Sequence, residues 1–196
     1  MATHLYIDSD HLHLSAQALL RSLDLTPNFW MDFAELRQAV AGGDTLGFAR
    51  AYGSKLAPYF GCRQFVSKRM WTNARREGFE ACQFDHSFDA TQAKLQMVPK
   101  EVKTGLVADL VADAIVDYAP GDIAVVVAGD RDYLPAVMRL KKEGVTVVVA
   151  FWESQVDQRL ADAASRFIPL ERCFGMLCKA PSTAKAETEE ELAAET

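Results

Sequence analysis

Apolar residues along this chain fall into short unbroken runs and helically spaced stripes that take turns from the N-terminus onward. His4 to Ile7 forms an apolar run that stops at Asp8, and Leu12 to Leu25 then carries apolar residues at helical spacing. Asp32 suits the cap of a helix over Phe33 to Val40, with Gly42 and Gly43 ending it. Leu46 to Tyr52 reads as a strand, as does Phe79 to Phe84 behind the helix stop Gly78. Over Val102 to Tyr118, Leu106, Leu110, Ala114 and Tyr118 recur at every fourth residue along one side, and Pro120-Gly121 closes the helix. Ile123 to Ala128 is apolar throughout, as a central strand buried on both faces must be. A helix from Leu134 to Glu143 ends at Gly144, and a second buried strand follows from Val145 to Phe151. A helix from Gln155 to Ala164 capped by Ser154 and a last strand from Phe167 to Leu170 complete the pattern. Strands alternating with helices predict an α/β fold, a three-layer α/β/α sandwich around a mainly parallel central sheet. Ligands of such sheets bind beyond the carboxyl ends of the strands.

Composition adds bounds. The 196 residues, 49% hydrophobic and 24% charged, suit one globular domain with a substantial core. We expect that domain over residues 1–174 and an acidic, disordered tail over 175–196, since from Lys179 onward there are five glutamates, two lysines and no aromatic residue. No internal repeat is visible. No apolar run nears the ~20 residues that cross a bilayer, and no basic-then-apolar leader opens the chain, so a cytoplasmic protein without a membrane partner is expected. Cys62, Cys82, Cys173 and Cys178 lack metal-binding spacing and read as reduced thiols. The net charge of −6 argues against a general polyanion binder but leaves room for local patches.

Two strand ends stand out. Asp8-Ser9-Asp10-His11 follows the first strand and Gly129-Asp130-Arg131-Asp132 follows the central one, so acidic pairs are expected at neighbouring carboxyl ends. Gathered carboxylates repel unless a cation neutralises them, and Mg2+ or Mn2+ takes oxygen ligands while keeping waters for a phosphate substrate. The alternative is that each aspartate caps the helix or turns the loop behind it. Asp109 and Asp113 share a helix face, a place where aspartates are usually solvated. His13 and His86 read as surface histidines, and His11 draws interest from its place beside Asp8.

Lys55 to Arg76 holds six basic residues, among them Lys68, Arg69 and Arg75, no acidic one, and Tyr59, Phe60, Phe65 and Trp71 between them. Cations reach phosphates and aromatics stack on bases, so this is the best nucleic-acid surface of the chain. An amphipathic helix with a core-facing aromatic side explains the same pattern. Trp152, just past a buried strand, looks exposed and hints at an interface with a second copy or a protein partner.

Three segments carry a resemblance to the NYN family, a branch of the PIN-like nucleases. Tyr6-Ile7-Asp8-Ser9-Asp10-His11-Leu12 resembles the opening strand motif, Lys100-Glu101-Val102-Lys103-Thr104-Gly105-Leu106-Val107-Ala108-Asp109 the middle motif, and Val127-Ala128-Gly129-Asp130-Arg131-Asp132-Tyr133-Leu134-Pro135 the third. The similarity covers most of residues 3–172. It implies a divalent-metal-dependent ribonuclease using Mg2+ or Mn2+ on RNA, with Asp8, Asp109, Asp130 and Asp132 as the catalytic pocket. Of these, Asp8, Asp130 and Asp132 would be the metal ligands. Asp10 and His11 would support them, and Lys68, Arg69, Arg75 and Lys103 would contact nucleic acid. Three positions depart from the pattern: Ser9 stands where the family prefers Gly, His11 where it prefers Asn, and Lys103 where the middle motif has its first aspartate. Lys103 therefore also implies the alternative, a weakened or inactive NYN domain that regulates by binding nucleic acid or protein. A weaker similarity to haloacid-dehalogenase-like phosphatases rests on Asp8 and Asp10, but Leu12 and Asp132 fall outside that pattern.

Overall fold

In a computed structural model, the structure describes residues 1–25, 29–55, 64–85, 88–89, 94–95 and 100–179. The first strand, β1 (Thr3–Asp8), passes directly into α1 (Ser9–Ser22); a short β2 (Trp30–Met31) precedes α2 (Phe33–Ala41) and then β3 (Leu46–Lys55). Next come α3 (Gln64–Arg76), β4 (Glu80–Asp85), a two-stranded pair β5 (Phe88–Asp89) and β6 (Lys94–Leu95), and the long α4 (Lys100–Val116). The second half continues with β7 (Ile123–Val127), α5 (Leu134–Lys142), β8 (Thr146–Phe151), α6 (Gln158–Ala163) and β9 (Arg166–Pro169), and closes with α7 (Phe174–Leu177) and β10 (Cys178–Lys179).

Six strands form one sheet in the order β4-β3-β1-β7-β8-β9, every adjacent pair parallel. Alternation along the strands divides the core in two. Leu5, Ile7, Val125, Val127, Val148 and Ala150 face α1, α2, α3 and α7, which contribute Leu12, Leu36, Trp71 and Leu177. Tyr6, Tyr52, Val126 and Val149 face α4, α5 and α6, which contribute Leu106, Leu110, Val137 and Leu160. This is the expected three-layer α/β/α arrangement, and the wholly apolar β7 is interior because both its faces are covered. From β1 the chain moves to β3 across one face, whereas from β7 it moves to β8 across the other. The switch point of the sheet therefore lies between the carboxyl ends of β1 and β7, where such folds open a crevice.

Local chemistry explains most boundaries. Asp32 accepts the N–H groups of Ala34 and Glu35 and so caps α2, which ends at Gly42 with φ of 60°. The helix after β8 departs from expectation. It begins at Gln158, not Gln155, because Asp157 rather than Ser154 accepts the first free N–H groups, those of Arg159 and Leu160. Ser154 instead donates its N–H and hydroxyl to Glu171.

Trp152 is likewise not exposed. It is fully buried, donates its indole N–H to the Leu12 carbonyl at 3.1 Å and packs against Phe151 and Phe174. The hint of an interface that it carried is withdrawn. Chain packing also runs past residue 174. Leu177 is fully buried, and β10 pairs with β2, so the apolar α7 turn completes the core beneath α2 and the body extends through Lys179. Residues 180–196 of the expected tail lie outside the described residues. Among the described residues, no helix is long and apolar enough to cross a membrane.

Two expectations about stability follow. Trp152→Ala should lower the unfolding free energy by about 3–5 kcal/mol in denaturant titration, the usual cost of emptying a large buried aromatic site. An exposed interface residue would cost within about 0.5 kcal/mol. The second expectation concerns Asp122, which holds the N-terminus against β7. It accepts hydrogen bonds from the Ala2 N–H (2.6 Å), His4 Nε2 (3.2 Å) and the Ala119 N–H (3.0 Å), which bring its pKa down to about 2. Because the folded value lies below the unfolded one, this stabilisation is complete above about pH 4 and fades as the pH falls toward about 2. Asp122→Asn should therefore lower stability at neutral pH and flatten its fall across that acid window, read from denaturant midpoints.

Candidate functional site at the carboxyl rim

At the switch point, each strand end delivers an aspartate whose backbone role and side-chain chemistry coincide. Asp8 ends β1 and caps α1, one carboxylate oxygen accepting the His11 N–H at 2.9 Å. The other accepts the Tyr133 hydroxyl at 2.6 Å, and Asp8 is fully buried. One strand over, β7 leads through Ala128 and Gly129 to Asp130, whose Oδ1 accepts the Asp132 N–H at 3.0 Å and opens the tight 3-10 turn Arg131–Tyr133. Gly129 is required by close approach, since a Cβ there would collide with the Phe151 ring. Its carbonyl accepts the Asp157 N–H at 2.8 Å, which fixes the loop from the far side. The capping role foreseen for each aspartate thus holds, and it is also what aims both carboxylates at one crevice.

Lys103, in the first turns of α4, reaches into that crevice. Its ammonium donates to Asp130 Oδ2 and, at 2.8 Å, to Asp132 Oδ2. The Lys103 and Asp130 side chains are 30% and 31% exposed, and that of Asp132 is 65% exposed. Burial works against both charges of the inner pair, yet their mutual hydrogen bond prevails: the Asp130 pKa falls below the carboxylate range and that of Lys103 rises. His11 packs its ring at a tilt against Phe151, 4.6 Å between centroids. Its proton affinity is lowered, first by burial and further by Lys103, against the opposite pull of Asp8 and Asp130. The Tyr133 pKa is raised by burial and by the charges of Asp8, Asp130 and Asp132, so its hydroxyl stays a donor. Asp8, His11, Lys103, Asp130, Asp132 and Tyr133 therefore form one electrostatic unit.

The remaining expected site residues distribute differently. Asp10 points toward the end of β3, where it accepts the Ser54 N–H at 2.8 Å. Asp109 accepts the Tyr52 hydroxyl at 2.8 Å, and Tyr52 lies in register with Asp8 on the neighbouring strand. Asp113, expected to be solvated, is buried and held by the Tyr6 hydroxyl and by Arg50. In each case a tyrosine set on the α4 face of the sheet needs an acceptor when buried, and an aspartate supplies it. His13 is also less exposed than expected: it packs on Phe29, and burial draws its pKa down to about 4.

Arg75 does not join the rim. Because α3 runs antiparallel to the two parallel strands it links, its last turn lies at their amino ends, and Arg75 is exposed there. Lys68 and Arg69 belong to the earlier part of the helix, and their side chains lie outside the described residues, as do His86 and positions 56–63. Trp71 is buried in the core, so it stacks on no base.

Whether the rim suits a resident Mg2+ or Mn2+ is decided by its donors. Such an ion needs near-octahedral oxygen ligation at 2.0–2.1 Å. Here the Lys103 ammonium spans Asp130 and Asp132, and the Asp8 oxygens receive the Tyr133 hydroxyl and the His11 N–H. Among the described residues, no group of three His, Cys, Asp or Glu side chains is disposed to hold a metal ion. The arrangement does not fit a resident divalent ion. Tyr133 is the functional neighbour that sequence reading passed over; its signal was a tyrosine directly after the Asp130-Arg131-Asp132 turn.

Comparison with known proteins agrees with the architecture. No curated protein matches the chain. A crystal structure of a protein of unknown function, VPA0982 from Vibrio parahaemolyticus, is similar with a TM-score of 0.68 at 15% identity, over 91% of this chain and 96% of that one, which establishes the shared fold. The sequence profile of the NYN domain matches residues 2–171. With the parallel sheet and the paired acidic strand ends in place, this chain belongs to the NYN domain family, a nuclease-like, PIN-like group.

Proposed function

We propose that this NYN domain binds RNA through its phosphodiester backbone over the crevice between β1 and β7, without metal-dependent cleavage. The observation that carries this reading is the Lys103 ammonium held between Asp130 and the exposed Asp132. A lysine is a point charge suited to phosphate, and the N-terminal end of α4 adds the positive pole of a helix. An ion pair as exposed as Lys103 with Asp132 contributes about 0–1 kcal/mol, so a phosphate can replace the Asp132 arm at small cost. Exposed Arg131 lies in the same turn as a second cation.

The other reading, a divalent-metal ribonuclease, draws support from the gathering of Asp8, Asp130 and Asp132 around one place. It requires Lys103 to leave that place. In that reading the three carboxylates would hold the ion, which would supply the activated water. Tyr133 is held protonated by burial and neighbouring charge, and His11 is disfavoured from charging.

Fluorescence anisotropy with a labelled single-stranded RNA tests the proposal. Lys103→Met should weaken binding several-fold and lower the salt dependence by about one unit, and Lys103→Arg should restore it. Asp109→Asn, outside the rim unit, should leave affinity unchanged. Wild type should leave the RNA intact with Mg2+ or Mn2+. Metal-dependent cleavage by wild type that Asp130→Asn abolishes would overturn the proposal in favour of the ribonuclease.

A further inference from the structure

We infer that Lys103 is a tethered cation that has taken the place of a divalent ion at the acidic rim, so that the folded domain satisfies its own carboxylates in metal-free solution. Aspartates 130 and 132 are drawn close by backbone geometry, because Asp130 caps the turn that contains Asp132 and accepts its N–H. Two carboxylates so placed repel, and a positive neighbour relieves that repulsion. Lys103 is that neighbour, fixed on a helix whose Val102 and Leu106 are fully buried, so its position is set by the core rather than by the rim.

A covalently held ammonium competes with any dissolved ion from a position of advantage. Groups joined by a short tether act at effective concentrations of roughly millimolar or more, whatever the solution contains. The lysine also uses little of its donor geometry, whereas a divalent ion would have to strip waters and recruit further oxygens. Both oxygens of Asp8, the aspartate at the end of β1, accept protein donors, the Tyr133 hydroxyl and the His11 N–H. Bringing in an ion would first require Lys103 to leave Asp130 and Asp132. The inference does not depend on RNA as the ligand: it concerns what neutralises the carboxylates, and it can stand or fall while RNA binding does the opposite.

Thermal melting of the full chain in chelator, Mg2+ or Mn2+ tests it, with Mn2+ binding by calorimetry as a second readout. Wild type should melt at the same temperature in all three and show no heat of Mn2+ binding in the millimolar range. Lys103→Asp should melt lower in chelator, rise progressively with added Mn2+ as a ligand that binds the native state must cause, and lose that response when Asp130→Asn is added. Lys103→Gln, which removes charge without adding repulsion, should show a smaller rise in the same direction. If Lys103→Asp is unfolded in chelator, recovery of its circular dichroism on adding Mn2+ supports the inference, and failure to recover together with an unresponsive Lys103→Gln overturns it. A Mn2+-dependent rise in wild type that Asp130→Asn removes overturns it equally, since the ion would then have its place despite the lysine.

Discussion

Negative charge gathered where β1 and β7 end has to be answered by donors, and the way it is answered organises this molecule. Asp8 is answered from within by a tyrosine hydroxyl and a helix N–H; Asp130 and Asp132 are answered by the Lys103 ammonium. These contacts join the first strand, the central strand's loop and the start of α4, three segments far apart in the chain. The parallel order β3-β1-β7 makes the meeting unavoidable, because adjacent parallel strands finish side by side. Breaking one contact by removing its donor would leave a charge in a partly dry crevice, which is costlier than the contact itself is stabilising.

Much of the architecture could be read from local pattern. The apolar stretch Ile123 to Ala128 announces an interior strand, and β7 is one, with β1 and β8 on either side. The stripe Leu106, Leu110, Ala114 and Tyr118 lies along the buried side of α4 and its exit. Where reading failed, the competing influence was a contact with a distant residue. Ser154 has the chemistry of a cap, but Glu171 captures it, and Asp157 inherits the helix start. Trp152 follows a strand and so looked peripheral, yet α1 and Phe174 cover it completely. No window of neighbouring residues contains that information.

The candidate site shows the same division. Aspartates 8 and 130 were legible because a charged residue directly after an apolar strand must lie at the rim. Their union with Lys103 was not legible as geometry; spacing alone places a lysine on a helix without saying that the helix's first turn meets the loop after β7. The partner of Asp109 was hidden for the complementary reason. Asp109 matches a motif position, but Tyr52 on β3 points into the layer beneath α4 and takes its carboxylate. With Asp113 held by Tyr6, the two aspartates that share a face of α4 serve buried tyrosines. Three tyrosines on that side of the sheet, Tyr6, Tyr52 and Tyr133, each donate to an aspartate, so part of the acidity of this domain is a solution to buried hydroxyls.

That division separates carboxylates that hold buried hydroxyls from those that face solvent. Asp8, Asp109 and Asp113 are anchored by tyrosine donors and lie inside or beside the core; replacing their partners disturbs packing first. Asp132 and the outer side of Lys103 face solvent, where an ion pair contributes little and can be traded for another partner. The exchangeable part of the rim is therefore a lysine with a loosely held carboxylate, flanked by Arg131. In a fold that places its ligands at the switch point of the sheet, the proposed phosphate contact asks an incoming anion only to displace Asp132, while a cation would have to displace Lys103 from both of its carboxylates.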